Sequence, residues 1–261
     1  MNLELSGERS QVVLFMPGPM SGAIGLAFLA CFLLGLYATF KTQMTYSKYS
    51  RVRSRAGLTG AQVAREILDR AGAEQWAVEK EMRGEPTTLA VRVEMVPGML
   101  ADHYDPIHRV LRLSPDVYGG SSLAACGIAA HEAGHAVQHA KGFAPLHMRT
   151  ALYPLANLGS QAWMWLVLLG FFFGGMQNLG VILTIGIGLF ACAVAFYVIT
   201  LPVEFDASWR ALGYLSEYGI LARDEMGGAR KVLSAAALTY VAAALTAVVQ
   251  LIYLIWLRRD E

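Results

Sequence analysis

TALYPLANLGSQAWMWLVLLGFFFGGMQNLGVILTIGIGLFACAVAFYVITLPV, residues 150–203, carries no charged side chain in 54 positions. A helix crosses the hydrocarbon of a bilayer with about 20 apolar residues, so the run is too long for one crossing. Gly174-Gly175-Met176-Gln177-Asn178 interrupts it with turn chemistry. Two spans are predicted there, 160–173 and 179–201; the first is short, and a re-entrant segment is its alternative. Two more charge-free stretches, 10–40 and 232–257, hold one span each, at 20–40 and 235–257. The predicted total is four. Composition agrees: the chain is 55% apolar and 16% charged, whereas a soluble domain carries about 25% charged residues.

The segment before residue 20 is poor in positive charge, with Arg9 set against Glu4 and Glu8, and lacks a convincing small-residue cleavage pattern. The first span therefore reads as a retained anchor and not a signal peptide. Lys41, Lys48, Arg51, Arg53 and Arg55 follow it with no acid among them. Basic loops stay in the cytoplasm, so both chain ends are expected outside and the polar segments inside a plasma (inner) membrane. The expected divisions are an N-terminal segment with the first span (1–40), a membrane-proximal unit (41–159), a transmembrane hairpin (160–201), a second polar segment (202–232), and the last span with its tail (233–261). The hairpin returns the two polar segments to one membrane face. The formal net charge of +1 argues against a nucleic-acid partner. Cys31, Cys126 and Cys192 lack paired spacing, which points away from a disulfide framework or a cysteine zinc cage.

The polar unit mixes helix with a little strand. Thr59 and Gln62 form a capping box for a helix with Val63, Ile67, Leu68 and Ala71 on one face, stopped by Gly72. Residues 91–95 alternate as a half-exposed strand, and 109–113 read as a second. Ser122 caps a helix that runs to Lys141 and stops at Gly142. The fold class is mainly α with a small β-sheet, in a polytopic membrane protein.

The last of these helices contains His131-Glu132-Ala133-Gly134-His135. Histidines at i and i+4 lie one turn apart on one face, so both imidazoles can reach one zinc ion at about 2.0–2.1 Å. Glu132 is then placed to take a proton from a water that zinc activates and to pass it to a leaving amine. Shuffling this composition produces the pattern about 0.007 times per chain, so accident is a poor explanation. A catalytic zinc keeps three protein ligands and one open position. His139 lies about 12 Å along the axis from His131, too far to join the same ion, and reads as a supporting or surface residue. The position a metzincin fills with its third histidine holds Lys141, which excludes that class. Glu204 directly follows the third predicted span, where an unsatisfied carboxylate is costly, and is the candidate third ligand. Asp206 is a candidate to orient a ligating histidine. His103 and Tyr104 are candidates for substrate or oxyanion contacts, with His147 and Arg210 as further options. The strand at 109–113 is the candidate edge for pairing with an extended peptide.

Several blocks together resemble one family. They are His-Glu-Ala-Gly-His-Ala-Val-Gln-His (131–139), Asp-His-Tyr-Asp-Pro (102–106), Leu-Arg-Leu-Ser-Pro-Asp-Val-Tyr (111–118), Leu-Pro-Val-Glu-Phe-Asp-Ala-Ser (201–208) and Gly-Ala-Arg-Lys-Val-Leu (228–233). They are similar to the YugP-like membrane zinc metallopeptidases. A more distant likeness runs to the HtpX-type and prenyl-protein membrane proteases, which place a zinc-ligating Glu in Glu-Phe/Tyr-x-Ala-Asp after a transmembrane hairpin. That likeness implies Glu204 as ligand, a gluzincin (zincin-like) catalytic domain and proteolysis. Ser208 stands where the distant relatives have Asp.

The expected function is a zinc-dependent endopeptidase with one Zn2+ per chain, acting on polypeptide at the lipid bilayer. Oligomerisation and a regulatory membrane partner stay open. Two other readings compete. One is metal-dependent hydrolysis of a lipid or small ester, which a closed apolar pocket would favour. The other is an inactive membrane scaffold with a structural zinc, which a fourth protein ligand, His103 or His147, would favour.

Overall fold

The computed structural model describes residues 19–71, 91–173 and 175–259. The elements are α1 (Pro19–Tyr49), α2 (Gly60–Arg70), β1 (Arg92–Met95), β2 (His103–Asp105), β3 (Val110–Leu113), α3 (Pro115–Tyr118), α4 (Leu123–Ala140), α5 (Ala144–Phe173), α6 (Gly175–Glu217) and α7 (Met226–Arg259). Gly72, the expected stop of α2, and Gly174 lie outside the described residues.

Among the described residues three helices, not four, are long and apolar enough to cross a membrane: Gly22–Tyr49, Thr184–Glu217 and Met226–Trp256. The stretch predicted as a short second span, 160–173, is instead the end of α5, a 30-residue helix whose first turns carry His147 and Arg149. Fourteen residues make about 21 Å of helix, less than the roughly 30 Å of hydrocarbon, and the chain starts the helix well before the apolar run. Gly175 to Asn178, expected in a turn, already belong to α6. The third predicted span also continues past its expected end at 201, through Pro202 to Glu217, so the polar residues after Pro202 sit on the same rod as the apolar ones.

α1 exposes Leu29, Phe32, Leu36 and Phe40. In a water-soluble protein these would be a liability; on a helix in lipid they face their solvent. α1 and α7 pack antiparallel, shown by the Thr42 hydroxyl donating to Ala235 O at 2.9 Å and by Phe28 against Tyr253 at 5.8 Å. α5 and α6 also run antiparallel: Gly159 meets the backbone at Leu189, and the Tyr153 and Phe196 rings lie 6.0 Å apart. Further along, this pairing carries Arg149 to Glu204.

The polar unit caps one end of these helices. The capping box on α2 is formed, with Thr59 accepting from Gln62 N and Gln62 bonding back to Thr59 N. Val63, Ile67 and Leu68 of α2 join Leu111 and Leu113 of β3 and Ala129, Ala133 and Val137 of α4 in one core. The sheet has order β1-β3-β2, with β1 parallel and β2 antiparallel to β3. The strand expected at an edge, 109–113, is therefore the central one, bonded on both sides. β2, three residues long and not anticipated as a strand, is an edge and packs beside α4.

Candidate metal centre

α4 is small-sided: Ala, Gly and Cys fill most of its buried positions. This lets neighbouring helices approach its backbone closely. Gly134 abuts Ala207 of α6, where a Cβ would stand 2.9 Å from the Ala207 carbonyl oxygen, and Gly127 faces Ala229 of α7. The first contact sits between His131 and His135, so it sets how near α6 comes to both imidazoles.

Glu204, 1% exposed, enters at this point. Its Oε2 is 3.2 Å from His131 Nε2 and 3.6 Å from His135 Nε2. The ligand atoms of His131, His135 and Glu204 all lie within 4.8 Å of one another, and this group could hold a metal ion. Its chemistry fits zinc: two imidazole nitrogens and one carboxylate oxygen, in a setting buried from water. The imidazole tautomers fit as well. Gln138, fully buried, uses its Nε2 to donate to Val203 O at 2.9 Å and to Asp206 Oδ2 at 2.7 Å. Its Oε1 therefore faces His135 Nδ1, 2.9 Å away, which must donate. The His135 Nε2 lone pair is left toward Glu204, the state in which an imidazole binds metal. Ser208 Oγ contacts His131 Nδ1 at 3.1 Å and orients the other ring.

Burial alone would disfavour charge on His135; the carboxylates of Glu204 and Glu132 outweigh it and raise the imidazole above its ordinary pKa. On the far side of Glu204, Arg149 of α5 donates to Oε1 at 2.8 Å. The carboxylate is thus held with one oxygen on a guanidinium and the other aimed at the histidines.

Glu132 and His131 line a cavity of about 170 Å³ together with Glu204 and Ser208. α1 contributes Thr42 and Tyr46, α7 contributes Val232, Ala236 and Tyr240, and the β1–β2 connection contributes Leu100 and Asp102. Leu100 has φ of 53°, a left-handed conformation that a branched side chain seldom adopts and that surrounding structure must hold.

Of the supporting candidates, Asp206 accepts from Gln138 and Arg210 and reaches His135 through the Gln138 amide. His139 Nδ1 meets the Tyr104 hydroxyl at 2.8 Å, and the His139 ring packs on His147 at 5.5 Å. Burial pushes the Tyr104 phenol upward in pKa. His103 is exposed and bonds Ala101 O and Arg112. Neither His103 nor Tyr104 borders the cavity beside Glu132. Gln138, Arg149 and Tyr240 escaped the sequence reading. Gln138 carried a legible signal, since it lies at i+3 from His135 on the same helix face. Arg149 and Tyr240 come from helices far away in sequence and carried none.

A helical membrane protein with a buried two-histidine, one-carboxylate group suited to zinc is the class this fold and site define. Residues 24–259 match the family described as "Putative neutral zinc metallopeptidase", and the chain belongs to that family. It is also similar to "Putative membrane protease YugP" of Bacillus subtilis (strain 168), with 42% identity over 239 residues, 90% of this chain and 98% of that relative. The YugP-like resemblance of the sequence blocks is thereby shown. No solved structure matches the chain.

Proposed function

We propose that the chain is a multi-pass membrane zinc endopeptidase of gluzincin type, with His131, His135 and Glu204 holding one zinc ion and Glu132 as the catalytic base and acid. The observation that carries this reading is the meeting of those three ligand atoms within 4.8 Å beside a cavity that Glu132 also lines. Bound zinc would supply Lewis acidity that makes water a nucleophile near neutral pH. Glu132 takes the proton of the attacking water as its oxygen bonds the carbonyl carbon, and returns it to the amide nitrogen as the C–N bond breaks. Gln138 and Ser208 keep both imidazoles in the ligating tautomer, and Arg149 keeps Glu204 from turning away.

The substrate is a polypeptide segment at the membrane surface. Three of the cavity's walls, α1, α6 and α7, are membrane helices, which supports access from the bilayer side. β2 offers an edge beside α4 on which an extended chain can pair. The basic cluster from Lys41 to Arg55 occupies the last turns of α1 and the segment after it, at the same end as the site, which supports a cytoplasmic active face at the plasma membrane. The mostly apolar lining of the cavity also favours a second reading, hydrolysis of a lipid ester at the same site.

The test is zinc per chain in wild type, Glu204→Ala and Glu132→Gln, with casein and a long-chain p-nitrophenyl ester as substrates in detergent. The reading expects one zinc in wild type and in an inactive Glu132→Gln, none in Glu204→Ala, and cleavage of casein over ester. Ester cleavage alone moves the assignment to the second reading. Stable zinc with neither activity refutes both.

A further inference from the structure

Amide hydrolysis places negative charge on the former carbonyl oxygen, and a peptidase needs a donor aimed at it besides its metal. This step rests on the peptidase reading above. The donor must line the same space as Glu132 and must have an O–H or N–H to give. The cavity offers few. The Thr42 hydroxyl donates within the helix pair, to Ala38 O or Ala235 O, both at 2.9 Å. Ser208 Oγ sits at His131 Nδ1, across that ring from the Nε2 that faces Glu204. His131 is taken by the ligand group. Two phenols remain, Tyr46 and Tyr240. Tyr46 also borders a second, polar cavity with Arg51, Arg53 and Asp116, and its electrostatic neighbours are Asp116 and Asp102. Tyr240 lines the cavity with His131, Glu132 and Glu204, and Glu204, Glu132 and Arg149 are its charged neighbours.

We propose that Tyr240 is a catalytic residue, the donor that stabilises the oxyanion. It stands where the reaction requires, on the metal group's side of the cavity and close to the base. A phenol is protonated at neutral pH and can give a hydrogen bond. Glu204 does not depend on it, because Arg149 already serves Oε1 and Oε2 is directed at the histidines. The Tyr240 O–H can therefore be given to the substrate oxygen. No proton is transferred: the carbonyl electron pair moves onto oxygen, Tyr240 donates to it, and Glu132 alone carries the proton from water to nitrogen. The donor comes from α7, a membrane helix, so the catalytic group is completed only when that helix is docked on α4.

The test is Tyr240→Phe, which keeps the ring and removes the hydroxyl, with Tyr46→Phe made in parallel. Tyr240→Phe is expected to lower kcat by about 10²–10³-fold with KM near wild type, the loss typical of one missing oxyanion donor. Zinc content and zinc affinity against a competing chelator should stay at wild-type values. A tetrahedral phosphonamidate peptide should bind Tyr240→Phe more weakly by a similar factor, measured by calorimetry without turnover. Undiminished kcat and phosphonamidate binding in Tyr240→Phe would overturn the proposal. So would weakened zinc affinity, which makes Tyr240 a positioning residue for Glu204, or the same losses appearing in Tyr46→Phe instead. If wild type itself neither cleaves peptide nor binds the phosphonamidate, the peptidase reading fails and not this assignment alone.

Discussion

Replacing Gly134 by alanine should push apart the two helices that carry the proposed metal ligands. Alanine in a helix interior is favoured over glycine by about 1 kcal/mol, so propensity alone predicts a gain. Packing predicts the reverse. The new Cβ would stand 2.9 Å from Ala207 O and 3.4 Å from Ala207 Cα, both backbone atoms that no rotamer change can move. Ordinary contact begins near 3.4 Å, so α4 and α6 must separate by about 0.5 Å. Overpacking of this kind costs about 1–3 kcal/mol, leaving a net loss of about 0–2 kcal/mol after the propensity gain. The larger effect is on the site. His131 and His135 flank Gly134 on α4 while Glu204 rides on α6, and zinc tolerates little error around about 2.0–2.1 Å. Zinc affinity should fall by about tenfold or more. Gly127→Ala is the internal control, because its Cβ meets Ala229 Cβ at 3.5 Å, an ordinary contact. It should keep the propensity gain and raise Tm by about 2–4 °C. Chelator competition and thermal melting, with and without zinc, read both variants. If Gly134→Ala binds zinc as tightly as wild type and melts as high as Gly127→Ala, the close approach of α4 to α6 does not set the site.

Gln138→Leu removes a donor to Val203 O and the acceptor for His135 Nδ1; it should weaken zinc binding by about 10–100-fold and cost about 1–3 kcal/mol from the buried His135 Nδ1–H left without its acceptor, seen by the same competition assay and by melting. The raised pKa of His135 makes protons compete with zinc. In zinc-free protein, its bond to Glu204 stabilises fully below the ordinary imidazole value of about 6.5 and is lost as pH rises through the raised value. The gap in Tm between zinc-loaded and chelated protein should therefore widen as pH rises above the ordinary imidazole value; a constant gap would contradict it. Arg149→Met should leave the Glu204 carboxylate short of a partner and lower the melting temperature of chelated protein more than that of zinc-loaded protein, since a metal replaces part of the lost charge compensation. Thr59→Ala breaks the capping box on α2, away from the site, and should cost about 1 kcal/mol in melting without changing zinc affinity.

The sequence by itself determined what depends on local period and solvent preference. His131, Glu132 and His135 share a face because a helix repeats every 3.6 residues, whatever packs on it. Thr59 and Gln62 cap α2 because both partners lie within one turn. Charge-free runs name membrane helices because lipid offers charges no solvation, and Glu204 drew notice by standing at the end of one. The short run 160–173 misled because hydropathy does not mark where a helix starts, and α5 starts at Ala144. Only the tertiary structure decided the pairings between distant segments. It put 109–113 at the centre of the sheet, since β2 pairs with that strand on the side where an open edge was expected. It joined Gln138 to Val203 and Asp206, Ser208 to His131, and Arg149 to Glu204. It brought Tyr240 of α7 to the cavity beside Glu132. None of these pairs has a period or a spacing that a sequence could display. Each exists because helices with small residues, Gly134 on Ala207 and Gly127 on Ala229, allow backbones to approach until long polar side chains from different helices meet.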